Sequence, residues 1–197
     1  PLSLIIIPLE RLLNENIEKR IRQEVELIHR NAETLLNEVN LLLDFRQLDQ
    51  KKTRLNLSYG NLSDFVKDVC NSFSAQTYKK GIDFQLQIHE PSLDMDFDYN
   101  KVQRILFNLL SNAVKFNHEN GNITVTLDKV TINEYEAVRI RIADTGIGIR
   151  DKNKNRIFER FFQEHRTKSA YIGSGIGLHI VKEYIELHNG TIEVRDN

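Results

Sequence analysis

The stretch NLLSNAVKFN, residues 108–117, puts two asparagines and a lysine at i, i+4 and i+7 of a segment whose apolar pattern predicts a helix. Side chains at that spacing stack on one helical face. Val102, Ile105, Leu106, Leu109, Ala113 and Val114 are expected to face the core, which leaves Asn108, Asn112 and Lys115 as a ladder of two neutral amides and one cation. Asparagine is a mediocre helix former because its amide competes for backbone hydrogen bonds, so its repetition asks for a reason. The ladder suits a hydrated Mg²⁺ carrying phosphates. Mg²⁺ keeps several waters and takes only one or two protein oxygens, while lysine neutralises phosphate charge. A solvated polar stripe on an ordinary amphipathic helix would use the same residues.

Two glycine segments bear on that choice. DTGIGI, 144–149, directly follows an alternating strand, and GSGIGL, 173–178, opens a helix. Glycine lets backbone approach a ligand closely, and a helix N-terminus offers free amides to phosphate. Neither segment is G-x-G-x-x-G, since Asp151 and Leu178 stand at the last position, and no P-loop occurs. Asp144, at a strand end, is placed to accept from an adenine amino group; it would serve equally as a turn or cap residue.

The elements that must position these groups follow from periodicity. In residues 1–49, Ile21, Val25, Ile28, Ala32, Leu35, Val39 and Leu42 keep a heptad seam, widened by Leu36 and Leu43. Leu2, Ile5, Leu9 and Leu12 form a stripe on a preceding helix, which Pro8 is expected to kink. The polar stretch 14–20 is the turn between the two. Two such helices bury little alone, so a helical hairpin that pairs with a second copy into a four-helix bundle is expected.

Residues 50–56, QKKTRLN, read as a linker, and 57–197 as a separate layer of helices on one face of a largely antiparallel sheet. There the pattern predicts a helix from 63 to Lys80, ended by Gly81, and strands at 82–88, 94–98, 122–130 and 137–144. Helices are expected at 99–116, 156–162 and 174–188, and a last strand begins at 191–195. The fold class is thus α+β: an N-terminal helical hairpin, then a two-layer α/β sandwich.

Composition narrows the function classes. Lys plus Arg number 27 against 28 Asp plus Glu, a net charge of −1. This balance does not favour nucleic acid or an anionic membrane as the main partner. A single cysteine, Cys70, excludes an internal disulfide and fits a reducing, cytoplasmic setting. No apolar run approaches the roughly 20 residues that span a bilayer.

Taken in order, the segments resemble the ATP-binding domain of sensor histidine kinases, which share the Bergerat (GHKL) fold of the gyrase, heat-shock chaperone, histidine kinase and MutL superfamily. NLLSNAVKFN resembles the asparagine box, DTGIGI the first glycine box, RIFERFF (156–162) the phenylalanine box and GSGIGL the second glycine box. PLSLIIIPLERLL is similar to the tail of the phosphoacceptor helix and LLLDFRQLD to the end of its partner.

The resemblance implies ATP and Mg²⁺ as ligands. It gives Asn112, with Asn108 beside it, to the metal, Lys115 to phosphate, Phe116 to the adenine ring and Asp144 to the adenine amino group. Gly146 and Gly148 leave room for the base. Gly173, Gly175, Gly177 and Leu178 close over the phosphates beneath a lid at 163–172. Phe158, Phe161 and Phe162 anchor the lid hinge, and Arg160 reaches the γ-phosphate during transfer.

The implied reaction moves the γ-phosphoryl group of ATP to a histidine, then to an aspartate of a response-regulator receiver domain, within a homodimer whose parent protein is membrane-anchored. The family's acceptor histidine, followed by Glu-x-Arg-Thr, would fall just before Pro1. None of the six histidines here (29, 89, 118, 165, 179 and 188) has that sequence after it, and His29 reads as a bundle-surface residue. The chain is therefore expected to lack its own acceptor and to be cut short at both ends. Two other readings are a MutL- or gyrase-like ATPase and a nucleotide-binding relay module without transfer activity. The ATPases carry a glutamate base where this chain has Asn108.

Overall fold

The structure is a computed structural model that describes residues 3–13, 15, 17–49, 53–132, 134–164 and 174–197. The chain divides into two compact units, Pro1–Thr53 and Arg54–Asn197.

The first unit is a hairpin of α1 (Ser3–Leu13) and α2 (Lys19–Asp49). Helix α1 continues through Pro8, so the expected kink does not end it. Arg22 closes the turn: its guanidinium donates to Leu13 O at 2.8 Å and Glu15 O at 3.0 Å, satisfying carbonyls that a helix end leaves open. The seam divides. Val25 and Ala32 are buried, whereas Ile21, Ile28, Leu35 and Leu42, spaced by seven, stay 48–56% exposed. Leu4, Ile5, Ile7 and Leu12 of α1 are exposed as well. His29 is not the surface residue expected. Its side chain is 16% exposed and lies between two carboxylates, Nε2 3.7 Å from Glu10 and Nδ1 3.5 Å from Glu33.

The second unit runs β1 (Ser58–Asn61), α3 (Leu62–Asn71), α4 (Ser74–Lys79), β2 (Asp83–Ile88), β3 (Asp94–Phe97), α5 (Tyr99–Lys115), β4 (Asn122–Ile132), β5 (Tyr135–Asp144), α6 (Asp151–Lys154) and α7 (Gly177–Leu187). Strands β2, β4 and β5 form one sheet, in that order, and β1 and β3 form an antiparallel pair. As expected, β4 and β5 are antiparallel, Val125 opposite Ile142. Strand β2 joins β4 in parallel, Leu86 beside Val125, because β3 and α5 carry the chain back between them.

Alternation sorts the sheet's faces. Ile123, Val125 and Leu127 are fully buried beneath α3 and α5, and Thr124, Thr126 and Asp128 form the opposite, polar face. Beyond Leu127, where β2 ends, β4 and β5 continue as a two-stranded ribbon clamped by an Arg139–Asp128 ion pair. Helix α5 sinks Leu106, Leu110, Ala113 and Val114 into this core. Leu110 is its innermost leucine at that turn, and Leu109 is only half-buried. Cys70 packs in the same core, where burial pushes its thiol up to about 11.

Several elements differ from the sequence reading. The helix expected from 63 to Lys80 is two helices, because Ser72 and Phe73 turn the chain and the Ser72 hydroxyl bonds Val69 O at 2.6 Å. Gly81, at φ +65°, ends the second as expected. Residues 156–162 form turns rather than a helix, since Phe161 sits at φ +60° and donates its N–H to Gly175 O. The helix expected from 174 begins at Gly177, because Gly175 at φ +70° breaks the helical path. Residues 191–195 join no strand ladder; their neighbours are tied by side chains, Asp196 to Lys154 and Asn197 to Asp144 O.

Candidate functional site

Helix α5 begins at an Asp98 cap, whose carboxylate accepts from Lys101 N at 3.0 Å. Asn108, Asn112 and Lys115 follow along it, all half-buried. Asn108 donates its amide N–H to Arg104 O at 2.9 Å, within the helix. Its Oδ1 turns to the second glycine segment: a Cβ built on Gly177 would lie 2.4 Å from it. A side chain at 177 would therefore have to push the Asn108 amide aside. Asn112 uses its backbone carbonyl to hold Phe116 N at 2.9 Å. Lys80 completes the end of α5, its ammonium donating to Val114 O at 2.8 Å and Lys115 O at 3.3 Å.

The first glycine segment is sewn to that same end. Asp144 Oδ1 accepts from Gly146 N at 2.9 Å, an Asx turn that fixes the carboxylate at the strand's exit. Ile147 N donates to Phe116 O at 3.1 Å. Thr145 Oγ1 donates to Asn117 Oδ1 at 3.2 Å and accepts from Asn122 N at 2.8 Å, while Asn117 Nδ2 donates to Asn122 O at 3.0 Å. A Cβ on Gly146 would meet Phe116 O at 2.5 Å and Asp144 Oδ1 at 2.7 Å. Gly148, at φ +64°, faces open space. The Lys115 ammonium lies 5.1 Å from the Phe116 ring centroid. That ring is 42% exposed, so core packing does not explain it.

Asn117, Thr145 and Lys80 are positioning residues that sequence reasoning passed over. The first two stand inside the quoted segments, but nothing local indicates that they bond each other across 28 residues.

The phenylalanine segment packs on the second glycine segment. A Cβ on Gly175 would come within 2.8 Å of the Phe161 carbonyl carbon. Ile157 is the buried anchor here, whereas Phe161 is 60% exposed and Phe162 lies under the Arg156 guanidinium at 4.7 Å. Arg160 Nε donates to His179 Nε2 at 3.1 Å. Since a guanidinium only donates, His179 accepts there, carries its proton on Nδ1 and donates to Phe158 O at 3.3 Å. Arg160 is thus turned toward α7, whose first turn carries Leu178. Gly173 and the expected lid, apart from Gln163 and Glu164, lie outside the described residues.

Residues 97–197 match the family described as histidine kinase-, DNA gyrase B-, and HSP90-like ATPase. The whole chain is 36% identical to hybrid signal transduction histidine kinase D of Dictyostelium discoideum, spanning 13% of that protein. It is 37% identical to the sensor histidine kinase TmoS of Ectopseudomonas mendocina, again over all of this chain and 20% of the relative. Among solved structures, full-length ShkA in complex with AMPPNP superposes with a TM-score of 0.76 at 28% identity, covering all of this chain and 40% of ShkA. The chain therefore spans a fifth or less of these two curated relatives.

Proposed function

This chain belongs to the histidine kinase-, DNA gyrase B-, and HSP90-like ATPase family, as a sensor histidine kinase, and from that premise we propose that residues 57–197 bind ATP with Mg²⁺ for phosphoryl transfer to a histidine. The observation that carries this reading is the approach of Gly177 to Asn108, which sets the second glycine segment directly on the asparagine ladder. Asp144 and Phe116 are fixed at the other end of the ladder by the Asx turn and the Ile147–Phe116 bond.

In this reading Asp144 accepts from the adenine amino group, as an ionised carboxylate must, and Phe116 lies against the ring beside Gly146 and Gly148. Lys115 faces the phosphates, and Gly175, Gly177 and Leu178 bring backbone over them. Arg160, released from His179, is the residue that reaches the γ-phosphate. The donor set fits Mg²⁺. Among the described residues no group of three or more His, Cys, Asp or Glu side chains gathers into a metal cage, and amide oxygens at Asn112 and Asn108 suit an ion held mostly by water and phosphate. Such an ion, when bound, neutralises phosphate charge and fixes its orientation.

An amide at position 108 cannot take the proton of an attacking water, which favours transfer over the hydrolysis of a gyrase- or MutL-like enzyme. The acceptor imidazole lies outside the six histidines named, and the phosphoryl group passes on to a receiver-domain aspartate. Titrating ATP with and without Mg²⁺ tests binding; Mg²⁺-independent or absent binding would leave only a relay module. Adding an acceptor-bearing bundle fragment tests transfer, with phosphohistidine as the expected product.

The hairpin 1–49 is the dimerisation element of this proposal, joined by the linker 50–56. Its support is the open half of the seam, an apolar stripe of the kind that marks an interaction face. The double variant Ile28→Glu, Leu35→Glu is expected to run as a monomer in sedimentation with its ATP titration unchanged. Association should weaken on the order of a hundredfold or more, because a carboxylate buried without a partner costs several kcal/mol. Among the described residues no helix is long and apolar enough to cross a membrane; the proposed site of action is the cytoplasm, where ATP is available.

A further inference from the structure

Asp98 does more than cap α5. It is 2% exposed, and a cap needs only one of its oxygens. Oδ1 takes the Lys101 N–H. Oδ2 accepts from the Lys101 ammonium at 2.6 Å and from the backbone N–H of Asn56 at 2.8 Å. The backbone N–H of Asp98 itself points to His188 Nε2 at 3.4 Å, and His188 Nδ1 lies 2.7 Å from Tyr184 O. Because Nε2 accepts, Nδ1 holds the proton and donates. The Lys101 ammonium also stands 5.7 Å from the Tyr184 ring centroid. Burial works to raise the Asp98 pKa, but the Lys101 ammonium and the Asn56 and Lys101 amides outweigh it and hold the group below its ordinary value.

Three separate pieces of chain meet at this residue: the carboxylate holds residue 56 and the start of α5, while its backbone N–H, and Lys101 through the Tyr184 ring, reach the end of α7. The spacing along the helices gives the meeting a purpose. Asn108 is ten residues along α5 from Asp98, and Gly177 is eleven residues back along α7 from His188. At about 1.5 Å per residue, both intervals are roughly 15 Å. Helices α5 and α7 therefore touch at two matched points, Asp98–His188 at one end and Asn108–Gly177 at the other.

We propose that Asp98 is a positioning residue: it registers α7 against α5, so setting Gly177 over Asn108, and ties that register to the backbone of Asn56 at the end of the linker. This rests on the ATP-binding reading only for its consequence, since the junction itself exists without nucleotide. Asp98→Asn keeps the shape, one acceptor for the cap and the backbone N–H to His188, but removes one carboxylate oxygen and the charge that holds Lys101 beside the Tyr184 ring, so its effect on α7 runs through Lys101. The Kd for ATP with Mg²⁺ should rise about tenfold, in the range by which residues touching no ligand alter coupling.

Amide exchange supplies the readout that a general loss of stability would not reproduce. In Asp98→Asn, exchange should quicken at residue 56 and at 177–181, while 123–127 in β4 keep the rate of the unaltered chain. Coupling is reciprocal, so ATP should slow exchange at residue 56 in the unaltered chain and fail to do so in the variant. Unchanged affinity with unchanged exchange at 56 and 177–181 would overturn the proposal, as would quickening that is uniform and includes 123–127.

If Asp98→Asn does not fold, Asn56→Pro removes the linker's N–H, while also fixing φ there, and leaves the Lys101 pair. It should raise Kd about threefold and abolish the protection that ATP gives to the segment around residue 56, and the absence of both effects would count against the proposal. Should the unaltered chain bind no ATP, the functional reading fails, and exchange at 177–181 without nucleotide still decides the junction.

Discussion

Asn112→Ala is expected to abolish Mg²⁺-dependent ATP binding while leaving the fold intact. The side chain is half-buried on the face of α5 that also carries Asn108. Its backbone carbonyl, not its amide, holds Phe116 N, so truncation leaves the end of the helix bonded. Alanine is the better helix former, and no packing defect is created in the core below, which Leu106, Leu110 and Ala113 fill. What is removed is an oxygen that a cation could use. Loss of second-layer support for a bound metal costs about 10–100-fold in affinity, so loss of the ligand itself should reach the upper end of that range. Calorimetric titrations of both proteins, each with and without Mg²⁺, make the comparison specific. The two should bind ATP equally weakly without the ion and differ only when it is present. An Asn112→Ala protein that kept the full Mg²⁺ enhancement would remove this residue from the site.

Gly146→Ala should fail in a different way, losing stability and binding together. The new methyl would stand 2.5 Å from Phe116 O and 3.0 Å from the Phe116 carbonyl carbon. Those are backbone atoms, and Phe116 O cannot retreat without breaking its bond from Ile147 N. The third contact, at 2.7 Å, is Asp144 Oδ1, the oxygen that fixes the Asx turn. Overpacking of this kind costs about 1–3 kcal/mol, and each kcal/mol lowers the melting temperature of a chain this size by about 2–4 °C. The Asp144 carboxylate, the one side-chain contact of the three, is pushed from its turn as well, so ATP affinity should fall even at temperatures where the protein remains folded. Gly148→Ala separates the two effects. Nothing lies within 4 Å of its Cβ, but its φ of +64° costs a non-glycine residue about 1–2 kcal/mol. Equal melting temperatures for Gly146→Ala and the unaltered chain would refute the crowding argument.

Much of this architecture was legible in the residues because it is written in short-range periodicity. The alternation of 122–130 and 137–144 gives β4 and β5 within a few residues, and the apolar spacing after Asp98 gives α5. The chemistry-bearing segments are also local, and the structure sets Asn108 against Gly177 and Gly146 against Phe116. What could not be read depends on partners far away in sequence. RIFERFF has a helical pattern, yet Phe161 gives its N–H to Gly175, so the turn wins. Strand β1, SYGN, is short and lacks alternation; it exists because β3 pairs with it, Tyr59 opposite Asp96. Asp98 reads as a helix cap, and its second oxygen's hold on Asn56 is a contact across 42 residues. His29 looked like a surface residue because the pattern of one helix does not show that Glu10 of the other stands against it.

The ribbon that β4 and β5 form beyond the end of β2 has a consequence for how the protein is dismantled. A hairpin of two strands without a third is marginal in water, and here its tip carries Ile132 and Tyr135 exposed and Glu134 at φ +71°. The Asp128–Arg139 pair is the last clamp before the strands rely on each other alone. Segments with few buried contacts open first and at the lowest free energy. A protease should therefore nick the chain near Glu134 before it cuts anywhere in β2, α5 or α7. The two fragments should stay associated through the sheet, with ATP titration of the nicked protein matching that of the intact chain.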